Sequence, residues 1–286
     1  MEIVDSLRSS LLIKGDERRA FRDPAVLYKD GVIHLWCTLV ETEPGEAQPF
    51  MYVVHMSSRD LLNWSEPEKL TVRDRSKNFS SPGNIVEKDG EYIMCLQTYC
   101  RENGEKFGNQ NCRLYTMKSR DLLTWSEPEP LRVMGAPENE RRMIDPYLIE
   151  KDGVWNCFFK KDGRVCRSVS DDLEHWDYLG ETIGGENPCI VCENGRYYLI
   201  SSPANGLDIS VSDNLERWER LGNLRFGQSD WDWAKGRLTA GAAIKVGGWW
   251  LMFFHGTGPE DESVIFDTHA SVGVAWSRDL LNWEWK

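Results

Sequence analysis

Several features that define other protein classes are missing from this chain of 286 residues. It has no apolar run of about 18 residues, so no transmembrane helix is predicted. Its net charge is −12 and it has no block of Lys and Arg, so a nucleic-acid partner is not expected, because phosphate binding needs clustered positive charge. The N-terminal segment lacks a basic stretch followed by an apolar one, so no signal peptide is predicted. We therefore expect a cytoplasmic protein with no membrane partner.

The eight cysteines do not form paired metal-ligand motifs. Cys189 and Cys192 have the spacing of one such motif, but no second pair matches it, and residues three apart on a strand point to opposite faces. Cys37, Cys95 and Cys157 lie within apolar runs, where small buried side chains are expected. The sequence therefore predicts no metal site and no cofactor, and it makes no prediction of oligomeric state.

What the chain does contain is the phrase Ser-x-Asp-Leu-x-x-Trp in five copies, with Asn in place of Asp in the fourth. The phrase is typical of a tight turn, because its Asp can accept hydrogen bonds from backbone N–H groups two residues on. Its Leu and Trp are expected to pack between neighbouring sheets. The copies occupy residues 58–64, 119–125, 170–176, 212–218 and 277–283.

Each copy closes a similar unit. An apolar run leads to an Asp-Gly, Asn-Gly or Gly-Gly turn and then to an aromatic-rich second run, which is a strong hairpin signal. A third run leads into the phrase, and a fourth strand follows it. Five four-stranded antiparallel units of about 40–65 residues predict an all-β fold, the five-bladed β-propeller, with residues 1–286 forming one domain.

The fifth unit is incomplete at its C-terminal end. Its copy of the phrase ends at Trp283, so blade five has no fourth strand of its own. Residues 10–14, Ser-Leu-Leu-Ile-Lys, precede blade one and are predicted to supply that strand and close the ring.

Acidic residues recur just before the first strand of three blades. These positions converge in a propeller, because the innermost strands surround the central axis. They hold Asp23-Pro24 in blade one, Asp145-Pro146 in blade three and Glu186, two residues before a Pro, in blade four. A single Asp-Pro often does no more than start a strand, but three acids at one register favour a pocket. Carboxylates that lie close together repel, so at least one pKa must rise.

With these residues the chain resembles the five-bladed propeller glycosidases, above all glycoside hydrolase family 43, over essentially its whole length. The resemblance implies an enzyme that cleaves a terminal sugar from a short oligosaccharide with inversion. It implies Asp23 as general base, Glu186 as general acid and Asp145 as the group that tunes the acid. An α-L-arabinofuranosidase or a β-xylosidase is expected. Because Asp145 and burial both disfavour its anion, we expect the pKa of Glu186 to be raised.

Departures from the family pattern leave alternatives open. Arg237 matches an Arg of blade five, but Ala240 and Gly241 stand where a His is expected, which argues against a central metal ion. The triplet from Arg22 to Pro24 resembles invertase-like relatives, whose separate Asn-Asp-Pro motif and C-terminal sandwich are missing. A related propeller glycosidase of anhydrogalactosidase-like or invertase-like specificity, a phosphorylase, and a non-catalytic carbohydrate-binding propeller are the alternatives.

Further residues are predicted to bind the substrate. Arginines can grip sugar hydroxyls, and Trp side chains often stack on sugar rings, although a Trp between blades is as readily explained by packing. His255 is predicted to be a packing residue. The predicted substrate contacts are Arg22, Trp36, Asn84, Gln97, Trp231 and Arg237.

Overall fold

The computed structural model describes residues 3–286, and within that range 21 β-strands and two short 3₁₀ helices are formed. Met1 and Glu2, which the single-domain prediction included, lie outside the described residues. The 3₁₀ helices span Pro137–Asn139 and Gln228–Asp230. The strands are β1 (Leu11–Ile13), β2 (Arg19–Lys29), β3 (Val32–Glu41), β4 (Phe50–Ser58), β5 (Glu68–Lys69), β6 (Phe79–Lys88), β7 (Glu91–Thr98), β8 (Leu114–Ser119), β9 (Glu129–Pro130), β10 (Met143–Lys151), β11 (Val154–Lys161), β12 (Arg164–Ser170), β13 (Asp177–Gly184), β14 (Glu186–Glu193), β15 (Arg196–Ser202), β16 (Leu207–Ser212), β17 (Glu219–Leu224), β18 (Arg237–Val246), β19 (Trp249–Thr257), β20 (Ser271–Ser277) and β21 (Trp283–Glu284).

These strands form five antiparallel sheets in chain order. Four sheets contain four consecutive strands each, β2 to β5, β6 to β9, β10 to β13 and β14 to β17. The fifth sheet has the order β1-β20-β19-β18, with β21 also paired to β20. The first strands of neighbouring sheets pack against one another around the ring, and the last of them, β18, packs against β2. The predicted five-bladed β-propeller is confirmed.

Blade five is completed by the N-terminal strand, as predicted. Leu11 pairs with Gly273 and Ile13 with Val272, so β1 takes the outer position beside β20. The sequence did not predict β21, which pairs with the opposite end of β20, where Trp276 faces Glu284. Residues 3–286 contain no helix with the length and apolarity that a membrane span requires.

The five repeated phrases form five nearly identical turns at the outer ends of the third strands. In the first copy, Asp60 Oδ1 accepts hydrogen bonds from the N–H groups of Leu62 at 2.9 Å and Asn63 at 2.8 Å. Leu61 is buried and adopts a φ of 66°, and Trp64 Nε1 donates to its carbonyl at 3.0 Å. The predicted turn, with its Asp as acceptor, is confirmed.

A second repeated feature is a β-bulge in the innermost strand of every blade. In four blades the bulge contains a non-glycine residue with positive φ followed by Pro. Such left-handed backbone is costly for residues other than Gly, and it concentrates at functional sites. These residues are Asp23 (50°), Ser81 (42°), Asp145 (55°) and Asn187 (49°).

The bulges correct the predicted register in two blades. In blade four Asn187, and not Glu186, has the conformation of Asp23 and Asp145, so Glu186 lies one residue earlier. In blade five the bulge falls at Ala240 and Gly241, after Arg237, which the sequence analysis had matched to the site. A Cβ on Gly241 would lie 2.5 Å from Cγ of Pro24, so this close packing of blades five and one requires glycine.

Candidate active site

A cavity of about 510 Å³ lies at the N-terminal ends of the innermost strands. All five blades contribute side chains to it, because their bulges converge around the axis. Three residues that the sequence did not single out, Lys160, Asn187 and Glu262, also line it. The predicted site residues that the structure brings together here are Arg22, Asp23, Gln97, Asp145, Glu186 and Arg237.

The structure does not bring the other predicted substrate contacts to this cavity. Trp36 is fully buried between blades one and two, where its ring meets the ring of Trp125 edge-on at 5.9 Å. Asn84 joins blades two and three, since it donates to the Leu148 carbonyl and accepts from the Leu148 N–H. Trp231 is nearly buried and stacks on Trp233 with ring centroids 5.1 Å apart. Packing between blades explains the placement of all three.

Hydrogen bonds between neighbouring blades fix the backbone of the bulges. In four of the five junctions, a side chain on the second strand of one blade accepts a hydrogen bond from the bulge N–H of the next. This arrangement positions the side chains of the bulges relative to one another around the ring. The acceptors and donors are Thr38 Oγ1 and Ser81 N (2.7 Å), Gln97 Oε1 and Asp145 N (2.6 Å), Ser202 Oγ and Ala240 N (2.7 Å), and His255 Nδ1 and Asp23 N (3.1 Å).

The junction between blades three and four differs from the others. Lys160 occupies the second-strand position there, and an ammonium group has no lone pair to accept with. Asp145 Oδ2 instead accepts the Asn187 N–H at 3.4 Å. Lys160 is therefore free to form an ion pair with Glu186. This substitution of a cation for an acceptor brings a positive charge to the centre of the site.

Asp23 is held from three directions. Its Oδ2 accepts from Thr38 Oγ1 at 3.0 Å, and its Oδ1 accepts from Asn187 Nδ2 at 3.3 Å. His255 Nδ1 lies 3.6 Å from the same Oδ1. Burial lowers the pKa of His255, and the charge of Arg22 adds to that effect. A neutral imidazole fits the contact in which its Nδ1 accepts the Asp23 N–H.

Asp145 is the carboxyl group of the site with a raised pKa. Burial raises its pKa to about 6, and the charge of Asp23 acts in the same direction, while Lys160 opposes it. Only 7% of Asp145 is exposed. Its carboxyl group can therefore carry a proton close to neutral pH.

Glu186 is paired with two cations, Lys160 and Arg237. Burial lowers the pKa of Lys160, and Arg237 also lowers it, while Asp145 acts against them. The raised pKa of Glu186 stays a prediction; what the structure has is a raised pKa at Asp145 and two positive charges beside Glu186. The prediction included Arg237 but not Lys160, because Lys160 belongs to another blade and nothing in its local sequence marks it.

Glu262 is a buried carboxylate of the cavity that sequence reasoning missed. It forms ion pairs with Arg22 and Arg237, and its Oε1 lies 3.6 Å from His255 Nε2. Burial alone would raise its pKa, but Arg22, His255 and Arg237 lower the pKa well below its usual range. The sequence offered only a weak signal, an acidic residue within an insertion beside the pocket. His255, predicted to be a packing residue, also belongs to this centre.

One group of three potential metal ligands occurs among residues 3–286. It comprises Asp172, Glu174 and His175, all exposed, in the repeated turn of blade three. The side chains already satisfy one another, since His175 Nδ1 lies 2.8 Å from Asp172 Oδ2. These three residues do not line the central cavity.

Comparisons with known proteins point to one class of enzyme. A family model described as "Glycosyl hydrolases family 32 N-terminal domain" matches residues 45–193. Among solved structures, an exo-1,5-α-L-arabinanase from a bovine ruminal metagenomic library is similar, with a TM-score of 0.62, 15% identity, and coverage of 93% of this chain and 94% of that chain.

Two further structures are similar at comparable levels. A family 43 β-xylosidase/α-arabinofuranosidase from a compost microbial metagenome, in complex with xylotriose, has a TM-score of 0.63 and 14% identity, with coverage of 98% of this chain and 97% of that chain. A family 32 β-fructofuranosidase from Bombyx mori has a TM-score of 0.64 and 15% identity, with coverage of 94% of this chain and 62% of that chain. At these identities the structures share the fold.

Proposed function

This chain belongs to the family described as glycosyl hydrolases family 32 N-terminal domain and is a glycosidase, and we propose that it removes a terminal sugar from a short oligosaccharide with inversion at the anomeric carbon. One observation carries this proposal: Asp23, Asp145 and Glu186 come from three different blades and line the same cavity. A cavity of about 510 Å³ suits a small polar ligand.

Asp23 is the proposed general base. Its carboxylate is oriented by Thr38 and Asn187, and both contacts leave lone pairs for a water molecule. An inverting glycosidase needs such a carboxylate on one face of the sugar and an acid on the other, about 6.5–9.5 Å away. Asp23 accepts the proton of the attacking water as the new bond forms at the anomeric carbon.

Glu186 is the proposed general acid, on a different blade from Asp23. It must carry a proton when the glycosidic oxygen leaves, and it pairs with Lys160 and Arg237 in the free site. Substrate hydroxyl groups that take over the hydrogen bonds of these cations would release the carboxylate for protonation. Asp145, with its pKa of about 6, is the nearby group that can supply a proton at neutral pH.

An α-L-arabinofuranosidase or β-xylosidase activity is the proposed specificity. It is supported by the similar structures, which include an exo-arabinanase and a β-xylosidase/α-arabinofuranosidase. Since those are similar in fold, the sugar is to be tested directly. A panel of nitrophenyl glycosides, read by release of nitrophenol, is expected to give turnover with an α-L-arabinofuranoside or a β-xyloside.

A second candidate is a β-fructofuranosidase-like activity with retention, which the family 32 match favours. Asp23 would then be the nucleophile and not the base. Sucrose and short fructans belong in the same panel, and proton NMR of the first product distinguishes the two mechanisms. An inverted anomer supports the main proposal, a retained anomer supports the second, and binding without cleavage of any glycoside supports a carbohydrate-binding protein.

A further inference from the structure

Glu262 lies in an insertion that extends blade five over the mouth of the cavity. β19 ends at Thr257 and β20 begins at Ser271, so residues 258–270 form a long loop where a hairpin needs only a few residues. Glu262 is the single buried polar residue of this loop, with 5% of its surface exposed. A carboxylate buried in this way is costly unless it is paired.

The insertion is attached to blade two across the mouth. Arg101 donates to both oxygens of Asp267, at 2.7 and 2.9 Å. Phe266 packs against Tyr99 and Phe107, with ring centroids 5.9 and 5.1 Å apart. These contacts hold the loop in place without Glu262, so a purely structural role is already filled by other residues.

Glu262 also connects two of the cations around the proposed catalytic carboxylates, Arg22 and Arg237. Arg237 contacts Glu186 and Glu262 with different nitrogen atoms. Arg22 pairs with Glu262, and the charge of Asp23 acts on it as well. Each guanidinium is therefore shared between Glu262 and a carboxylate that the proposed reaction uses.

The net charge around Asp23 and Glu186 depends on the pairing of Arg22 and Arg237 with Glu262. With Glu262 ionised, part of the positive charge of each arginine is neutralised away from Asp23 and Glu186. Without that charge, the buried guanidinium of Arg22 and the half-buried one of Arg237 would lose the carboxylate that they share. At an effective dielectric constant of about 20, one extra charge at about 5 Å is enough to change the protonation of a carboxyl group.

We propose that Glu262 is a positioning residue for the hydrolytic reaction, which holds Arg22 and Arg237 so that Glu186 can be protonated and Asp23 can accept a proton at neutral pH. This inference rests on the proposed function. Glu262 contacts the two arginines and His255, and its proposed role is exerted through the arginines.

The test is the pH dependence of kcat/KM for Glu262→Gln, which keeps the size of the side chain and removes its charge. Both limbs of the profile are expected to move to lower pH by about one unit, because the uncompensated arginines favour both anions. Glu260→Gln is the matched control, since it removes the same charge from an exposed position of the same loop. It is expected to leave both limbs in place.

A fall in activity with unmoved limbs would overturn the inference and leave Glu262 a structural residue. The double variant Glu262→Gln/Arg22→Gln removes an ion pair without changing net charge, so its limbs are expected to return towards those of the wild type. This variant also serves if the single variant fails to fold.

A second measurement does not need turnover. The side-chain carboxyl carbons of Asp23 and Glu186 can be titrated by NMR in the wild type and in Glu262→Gln. Midpoints that move to lower pH in the variant support the inference even if no glycoside is cleaved, which would sink the proposed function alone. Unchanged midpoints overturn the inference even if the wild type is an active glycosidase.

Discussion

Two features occur in all five blades of this propeller, the turns of the repeated phrase and the bulges of the innermost strands. They differ in which part of the structure stays constant from blade to blade. The five turns formed by the repeated Ser-x-Asp-Leu-x-x-Trp phrase, the rim turns, keep both backbone and side chains. Each contains a Leu with φ between 66° and 73°, and a Ser oxygen and an Asp or Asn oxygen that accept backbone hydrogen bonds of the turn. The bulges at the centre keep the backbone and change the side chain. Around the ring, the bulged residue is Asp, Ser, Asp, Asn and then Ala.

The difference reflects what each repeat does. Every rim turn performs the same local task, the closure of a blade, so one residue pattern serves five times. The bulges share the task of bringing five strands to one axis, which needs only the backbone. Their side chains are then free to differ, and the carboxylates of Asp23 and Asp145 occupy two of the five equivalent positions. The strained positive-φ conformation at the centre therefore occurs in four blades, and in only some of them does its side chain serve the proposed chemistry.

The largest expected effect comes from the centre. Glu186→Gln removes the proposed acid and is expected to lower kcat on the best nitrophenyl glycoside by about 10³-fold, while the melting temperature changes little. The measurement is steady-state turnover beside a thermal unfolding curve. Turnover within tenfold of the wild type would show that Glu186 is not the acid.

The next largest effect is expected from the loss of β1, the strand that completes blade five and closes the ring. Deleting residues 1–14 removes β1 and the buried side chains of Val4, Leu7 and Ile13. The melting temperature is expected to fall by about 10 °C, since several kcal/mol of burial are lost and the edge of β20 is exposed. An unchanged melting temperature would contradict the role of β1 as the closing strand.

A smaller effect is expected on the free energy of unfolding when the buried carboxyl group of Asp145, at the centre of the ring, is replaced. The folded state keeps a proton on Asp145 up to a pKa of about 6, whereas the unfolded chain loses it near 3.8, so the wild type loses stability as pH rises between these values. Asp145→Asn is therefore expected to unfold at higher urea at pH 7, by about 3 kcal/mol, and to show no gain below pH 4. A gain independent of pH would point to packing and not to titration.

The smallest effect is expected from the same Asp→Asn substitution in a rim turn, where it lowers the stability of the protein at pH 7 instead of raising it. Backbone N–H groups and Asn63 lower the pKa of Asp60 to about 2, so its stabilisation is present at neutral pH and lost as pH falls from 4 to 2. Asp60→Asn is expected to cost less than about 1 kcal/mol at pH 7, because the group is exposed to solvent. Asn214 already fills this position in the fourth copy and accepts the same two backbone hydrogen bonds.

A cost at the rim as large as the gain at the centre would contradict this contrast between the two regions. Turnover provides the second check, since Asp60→Asn is expected to leave it unchanged. Urea unfolding at pH 7 and pH 3 measures both variants under the same conditions.

The sequence predicted what is local and repeated. The rim phrase and the turns of the hairpins each depend on a few adjacent residues, so their pattern identified five blades and the closing strand. Asp23 and Asp145 were found by the same means, because each is followed by Pro at a repeated register. Glu186 was included with them although the structure places it one residue before the bulge.

The remainder of the site depends on contacts that no local pattern records. Lys160 reaches Glu186 from another blade, and Glu262 reaches Arg22 from an insertion. Trp36 was predicted to bind substrate because it is aromatic, yet the same property makes it a packing residue between blades. Only the three-dimensional arrangement distinguishes these two uses of a large ring.

The pairing of β1 with β20 has a consequence for synthesis on the ribosome. A nascent chain that has emerged through blade four already carries Asp23, Asp145 and Glu186, but it lacks Arg237, Glu262 and the strand beside which β1 must lie. The first four blades cannot close into a ring until residues 271–277 leave the exit tunnel and β20 is available to pair with β1. Pairing of β1 with β20 thus comes after the synthesis of all the charged residues that surround the proposed catalytic groups.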